Sequence, residues 1–338
     1  MEFQWHIREE QLQYDLNING YSSIYTNSTT DEYSLLDNLL QYFQPRSKLK
    51  DNLKVYDIDE EYEELSTKHY QIIHLSNEQV IEELKLGSKA LLKSKIKNEL
   101  KQDVEAEGYL NTINSLLDDL VERVPLDLPL RTNPFNFDSL MKLISINMED
   151  ETDETSCNIV LRQNNKILPI LTDHIKETVS TPTIIYFTYP ENYLSPGEQK
   201  EMRELLNHLS ADVPIIVLTK SKLFLSSQYR GLNYFSRNQQ LFNQQLINDM
   251  EWEAPTIYEQ DELIESLVKI VHKYIDLIEI YPLVSNYQDA DIHLFKSIDL
   301  YVFSFIMYKL KLRFTFELQE QEIEAPVYKY IMFIYENL

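Results

Sequence analysis

Residues 182–219 decide how this chain folds: PTIIYFTY from Pro182 to Tyr189, PENYL from Pro190 to Leu194, SPGEQKEMRELLNHL from Ser195 to Leu209, and VPIIVLT from Val213 to Thr219. The outer pieces are short unbroken apolar runs rich in β-branched and aromatic residues, as in strands buried on both faces. Between them Ser195, Pro196 and Glu198 occupy the N-cap, first and third positions of a helix that carries Met202, Leu205, Leu206 and Leu209. Strand, helix and strand of these lengths predict a crossover between parallel strands.

Upstream, Asn158 to Arg162 reads as another strand, and Ile167 to Val179 as a helix with Pro169 near its start. The first 75 residues alternate strand-like runs, Phe3–Ile7, Leu12–Ile18, Ser22–Tyr25, Val55–Ile58 and Tyr70–Leu75, with a turn at Asn19–Gly20. Thr30 or Asp31 caps a helix carrying Leu35, Leu36, Leu39, Leu40 and Phe43, which Pro45 stops. From Asn233 onward the pattern is mainly helical, in Leu241–Met250, Tyr258–Ile280, Asp289–Leu312 and Ala325–Leu338.

The long stretch 77–123 has a different grammar. Ser76 and Gln79 are spaced as a capping box, and Val80, Leu84, Leu92, Ile96 and Leu100 supply an apolar line. One position round from it, Lys85, Lys89, Lys93, Lys97 and Lys101 recur every fourth residue, with Lys95 nearby and only Glu99 opposing them. Leu110, Ile113, Leu117, Leu120 and Val124 then follow coiled-coil-like spacing. Read as one helix, the stretch is a rod of roughly 70 Å that needs another helix or subunit to cover its seam. Val124–Pro125 ends it, a loop holding Pro125, Pro129 and Pro134 follows, and Asn136 or Asp138 caps a short returning helix. Met148–Glu154 is an acidic linker, where a domain boundary falls.

Charge gives the first functional clue. The chain carries -24 overall, while Lys85 to Lys101 carries +5. A basic ridge without acidic partners at i-4 suits phosphates, although a solvated helix flank whose lysine stems cover the apolar line reads the same way. If five lysines each neutralise one phosphate, log K falls with log salt at a slope of about -4.5. Asp118, Asp119, Glu122, Asp127 and Asp138 cluster in sequence around the end of the long helix. Five carboxylates on one turn suit Ca²⁺, though the spacing is no EF-hand and an acidic helix end looks alike.

Other chemistry is missing from the pattern. The glycines, Gly20, Gly87, Gly108, Gly197 and Gly231, form neither a P-loop nor a dinucleotide fingerprint. The histidines have no metal spacing, and the lone Cys157 has no evident base and excludes an intrachain disulfide. No signal peptide is visible, and the apolar run Tyr301–Leu310 is too short to cross a membrane, so a cytoplasmic protein is expected.

The stretch from Ile184 through the Tyr193-Leu194-Ser195 turn to Leu206, closing with Val213–Thr219, together with Phe137–Ile146 after a long helix, resembles the Csn-two family. These are spacer-acquisition proteins of type II-A CRISPR systems. The resemblance covers roughly residues 70–225, and the added helical part from about 231 matches the long subgroup. It implies an α/β fold: a P-loop-ATPase-like head without a nucleotide site, from residues 1–75 and 151–230, a helical arm inserted at 76–150, and a C-terminal helical extension over 231–338. It also implies a ring-shaped homotetramer that encloses double-stranded DNA, prefers free ends and has no enzymatic activity. Calcium held by the carboxylates near the arm is implied as well, with the integrase proteins and effector nuclease of the same system as partners. Two other readings stand beside it. One is an acidic helical adaptor that binds proteins and no DNA; the other is a metal-dependent nuclease using the acidic cluster.

Overall fold

The computed structural model describes residues 2–9, 12–26, 38–44, 47, 53–148, 158–178, 180–236, 239–240 and 242–337. The strands are β1 Glu2–Glu9, β2 Leu12–Asn19, β3 Tyr21–Thr26, β4 Leu53–Asp57, β5 Glu63–Glu64, β6 Gln71–Ser76, β7 Thr183–Thr188, β8 Ile215–Thr219, β9 Leu232–Ser236, β10 Gln239–Gln240, β11 Leu283–Ser285, β12 Ile292–His293 and β13 Thr315–Glu317. The helices are α1 Asn77–Glu83, α2 Leu91–Gln102, α3 Val104–Glu122, α4 Phe137–Leu140, α5 Ile159–Thr178, α6 Pro196–Leu209, α7 Gln244–Trp252, α8 Gln260–Tyr274, α9 Ser297–Leu310 and α10 Ala325–Asn337. The expected cap at Thr30 or Asp31, Leu35, Leu36, Cys157 and most of the acidic linker lie outside the described residues.

The main sheet has the order β10-β9-β3-β8-β7-β6, with β9, β3, β8, β7 and β6 paired in parallel and β10 antiparallel to β9. Every residue of β7 and β8 is buried. Their side chains alternate between two cores, as the period of two in a strand requires. Ile184, Tyr186, Ile216 and Leu218 face an antiparallel sheet of order β2-β1-β4-β5, together with Trp5, Leu39 and Phe43. Ile185, Phe187, Ile215 and Val217 face the helical side, where they meet Leu168 and Leu171 of α5, Met202 and Leu206 of α6, and Val80 and Leu92. Gly20, at φ +49°, is the corner where the chain leaves one sheet for the other.

A third core lies in the C-terminal part, where α7 to α10 pack with Tyr25, Leu232 and Tyr234 of the main sheet. Leu300 to Met307 of α9 are buried without a break. A helix buried on every side is here the centre of a protein core.

Four sequence expectations change. Asn158–Arg162 begins helix α5: the Asn158 side chain accepts the N–H of Val160 at 2.9 Å and caps the helix. Pro169 consequently sits inside α5, where its missing N–H falls opposite the exposed Asn165. The extension is not wholly helical, because β12, β11 and β13 form a small parallel sheet within it. The head's sheet runs past residue 230, since β9 pairs with β3. Finally, the single rod over 77–123 is three helices. Leu86 takes φ +50° and buries its side chain, and Glu83 accepts the N–H of Leu92 at 2.8 Å, so α1 ends and α2 starts afresh. Asp103 breaks the second junction by accepting the N–H of Glu105 at 2.9 Å.

Candidate nucleic-acid interface

The arm is fastened to the head by polar and apolar contacts. Asn77, 1% exposed, donates through Nδ2 to the carbonyls of Pro190 and Asn192, and Asn164 of α5 donates to its Oδ1 at 3.0 Å. This ties α1 to the turn after β7 and to α5. Leu92 is buried in the same core, with Ile96 and Leu100 against its edge.

On that base the expected lysines divide. Lys93, Lys97 and Lys101 lie four apart along α2, near enough to Asp138 at the return of the arm for all three charges to act on it. Lys97 binds that carboxylate at 2.5 Å. The Lys97 hydrogen bond holds the Asp138 carboxyl below the usual range, with the charges of Lys97, Lys101 and Lys93 assisting. Lys95 points elsewhere. Its side chain, 14% exposed, lies between Glu177 of α5 at 2.6 Å and Glu99 at 2.7 Å, and these bonds push its pKa up to about 12. Lys95 is therefore a clamp between arm and head. Lys85 and Lys89 fall in the turn between α1 and α2, where Lys85 pairs with Glu82 at 2.5 Å and Lys89 is exposed. The ridge is thus three lysines on one helix with a fourth near its start.

The carboxylates are not brought together as a calcium centre. Asp138 is held by Lys97, and Asp118 accepts the hydroxyl of Thr132. Among the described residues no three His, Cys, Asp or Glu side chains gather as metal ligands would, Asp119, Glu122 and Asp127 included. Ca²⁺ wants six to eight oxygens, and the set present in one chain does not fit it. Asp138, expected as a metal ligand, is the counter-ion of Lys97 on the basic flank; a lysine 41 residues away leaves no local trace in sequence.

Helix α3 has no buried residue. It spans about 28 Å at 1.5 Å per residue, and the returning chain lies against it. Asn114 exchanges hydrogen bonds with the backbone of Phe135, at 2.6 and 3.0 Å. Leu110 and Leu117 turn toward that segment and are half-buried, so the exposed seam is Tyr109, Ile113, Leu116 and Leu120. Leu126, Leu128 and Leu130 of the proline loop are exposed as well. Large contiguous apolar surface on a projecting element marks an interaction site.

No protein-family model and no curated protein matches the chain. Among solved structures, Stu0660 of Streptococcus thermophilus is similar at a TM-score of 0.64 and 15% identity, over 97% of this chain and 99% of that one. At that identity the likeness shows a shared fold, and it extends end to end. The ADP conformation of MJ1267, an ATP-binding cassette of an ABC transporter, matches at a TM-score of 0.34 and 11% identity, over 75% of this chain and 96% of that one, and carries no argument. No helix among the described residues is long and apolar enough to cross a membrane.

Proposed function

We propose that this chain is a non-catalytic, sequence-independent double-stranded DNA-binding protein that works as a homotetrameric ring in CRISPR spacer acquisition. The observation that carries this reading is the flank of α2, where Lys93, Lys97 and Lys101 concentrate positive charge in a chain of net charge -24. The family resemblance and the end-to-end fold likeness support it. Lysines contact phosphate and read no bases. The Lys97–Asp138 pair is exposed on the carboxylate side, so a phosphate can displace it at little cost. With Lys89 included, four phosphate contacts per subunit give a salt slope of about -3.6. The uncovered seam of α3 supports self-association, since a second copy offers the same apolar stripe. The parallel sheet with its crossover helix supports a head related to P-loop ATPases.

The test is a gel shift on linear and covalently closed circular duplex across salt. Binding to the linear form alone, weakening steeply with salt, is expected. Lys93→Glu, Lys97→Glu and Lys101→Glu together abolish it while particle size stays the same. Retention of duplex by that variant would falsify the reading. DNA is expected to stay intact with Mg²⁺ or Mn²⁺. Calcium is suggested by the carboxylate-rich sequence around the end of α3 and by the resemblance; a Ca²⁺-dependent shift would place its site between subunits.

One observation favours the adaptor reading. Trp252 is 89% exposed and Ile257 94%. Residues 249–265 around them hold seven carboxylates, of which Asp249 and Glu253 are paired with Lys309, at 3.0 Å each. An exposed Trp is the residue type that anchors protein interfaces, and its acidic rim suits a basic partner, such as the integrase or nuclease proteins of the same system.

A further inference from the structure

A second basic site lies in the C-terminal part, away from the arm. Lys269 and Lys273 stand one turn apart on α8, and Lys296 precedes α9. With Phe295 and His293 they border a cavity of about 250 Å³ floored by Ile270, Tyr274 and Leu294. The one carboxylate in it, Asp299, is 3% exposed and already satisfied: Lys269 binds it at 2.5 Å and the Ser266 hydroxyl at 2.7 Å. Among the described residues Lys273 and Lys296 have no ion-pair partner, and Lys273 sits 4.8 Å from the ring centre of Tyr274. Phe295 is 69% exposed and lies nearly parallel to the His293 ring, at 16° with centroids 6.4 Å apart.

An exposed aromatic face, backed by a second ring and flanked by unpaired ammonium groups, matches the general requirements for an unpaired nucleotide. Every base has a π-face that stacks on an aromatic ring, and cationic side chains beside it take the phosphate. A bare anion would not account for the apolar floor, nor an apolar ligand for the cations. We propose that this cavity binds a single-stranded nucleic-acid segment, with a base stacked on Phe295 and its phosphate between Lys273 and Lys296. This inference does not rest on the duplex-binding reading, because it uses none of the arm residues.

The full-length protein is titrated against a fluorescein-labelled ten-nucleotide oligothymidine by anisotropy, with adenosine monophosphate and inorganic phosphate as competitors. The oligonucleotide is expected to bind, and adenosine monophosphate to compete far better than inorganic phosphate. Phe295→Ala should weaken binding by about 5- to 150-fold, the range of one base–aromatic stack. Lys273→Glu with Lys296→Glu should lower the magnitude of the salt slope by about 1.4. All these side chains are exposed, so melting temperatures should match the parent protein. The arm variant Lys93→Glu, Lys97→Glu, Lys101→Glu should bind the oligonucleotide as the parent does, which separates this site from duplex binding. No anisotropy change, equal binding by Phe295→Ala, or equal competition by inorganic phosphate would each overturn the proposal.

Discussion

Helices α2 and α3 are separated by Asp103 alone and read in sequence as one rod, yet they end in opposite surroundings. α2 rests on the head: Leu92 is 3% exposed, and Lys95 reaches across to Glu177 of α5. α3 buries nothing, and its Leu116 is 58% and Leu120 63% exposed. Both have an apolar stripe at helical spacing. The difference lies in whether another element reaches the stripe. Periodicity reports a face and is silent about what covers it.

The largest expected effect separates the two directly. Leu92→Ala should cost about 2–5 kcal/mol, while Leu116→Ala should leave unfolding of the dilute protein within about 0.5 kcal/mol. Urea unfolding measures both, and equal costs would mean that α3 packs as α2 does. Next, Leu116→Asp with Leu120→Asp should lower the particle mass in light scattering without unfolding the head. An unchanged mass would remove the seam from the assembly. Third, a Cβ at Gly108 meets nothing within 4 Å, so Gly108→Ala should stabilise α3 by up to about 1 kcal/mol and raise the helical circular-dichroism signal. A loss of helicity there would mean that something packs on that face.

The smallest effect is one of pH and belongs to the docked side. Burial holds His174 of α5 below the ordinary imidazole value, and the nearby Lys95 charge adds to this. His272 of α8 is also depressed, again chiefly by burial, with Arg203 lowering it further and its backbone contact to Ser226 opposing. With the folded pKa below the unfolded one, the unfolded chain takes up the proton first as pH falls. Stability from these groups is therefore present above about pH 6.5 and lost below it. Thermal melts between pH 7.5 and 5 should show this decline, and His174→Gln with His272→Gln should flatten it. An identical slope in the double variant would assign the acid sensitivity elsewhere.

Much of the head was legible because its signals are local. β7, α6 and β8 follow from two apolar runs and the Ser195–Glu198 cap, and the Ser195 N–H does bond Glu198 at 2.7 Å. The breaks in the arm were less visible. Asp103 followed by Glu105 and Glu107 is a helix start signal that the regular lysines outshone. Glu83 caps α2 from nine residues away, beyond any local rule. The lysines were identified by spacing, but their roles depend on carboxylates from elsewhere: Glu177 claims Lys95, and Asp138 claims Lys97. The cavity beside Phe295 draws on α8 and on the chain before α9, so no single stretch of sequence marks it.

Strand β3 sets the timetable for making this protein. It lies mid-sheet, bonded to β8 and β9, and its first contact is Tyr21 with Ile215. On the ribosome, β1 and β2 can pair almost at once. β3 must wait for nearly two hundred more residues, which takes about 10–40 s at the usual pace of synthesis. Throughout that delay a strand-forming segment, TYR-SER-SER-ILE-TYR-THR in order from Tyr21, has both edges open. Nascent chains stalled before Thr219 should accordingly aggregate or recruit chaperones, and chains carried past Ser236 should not.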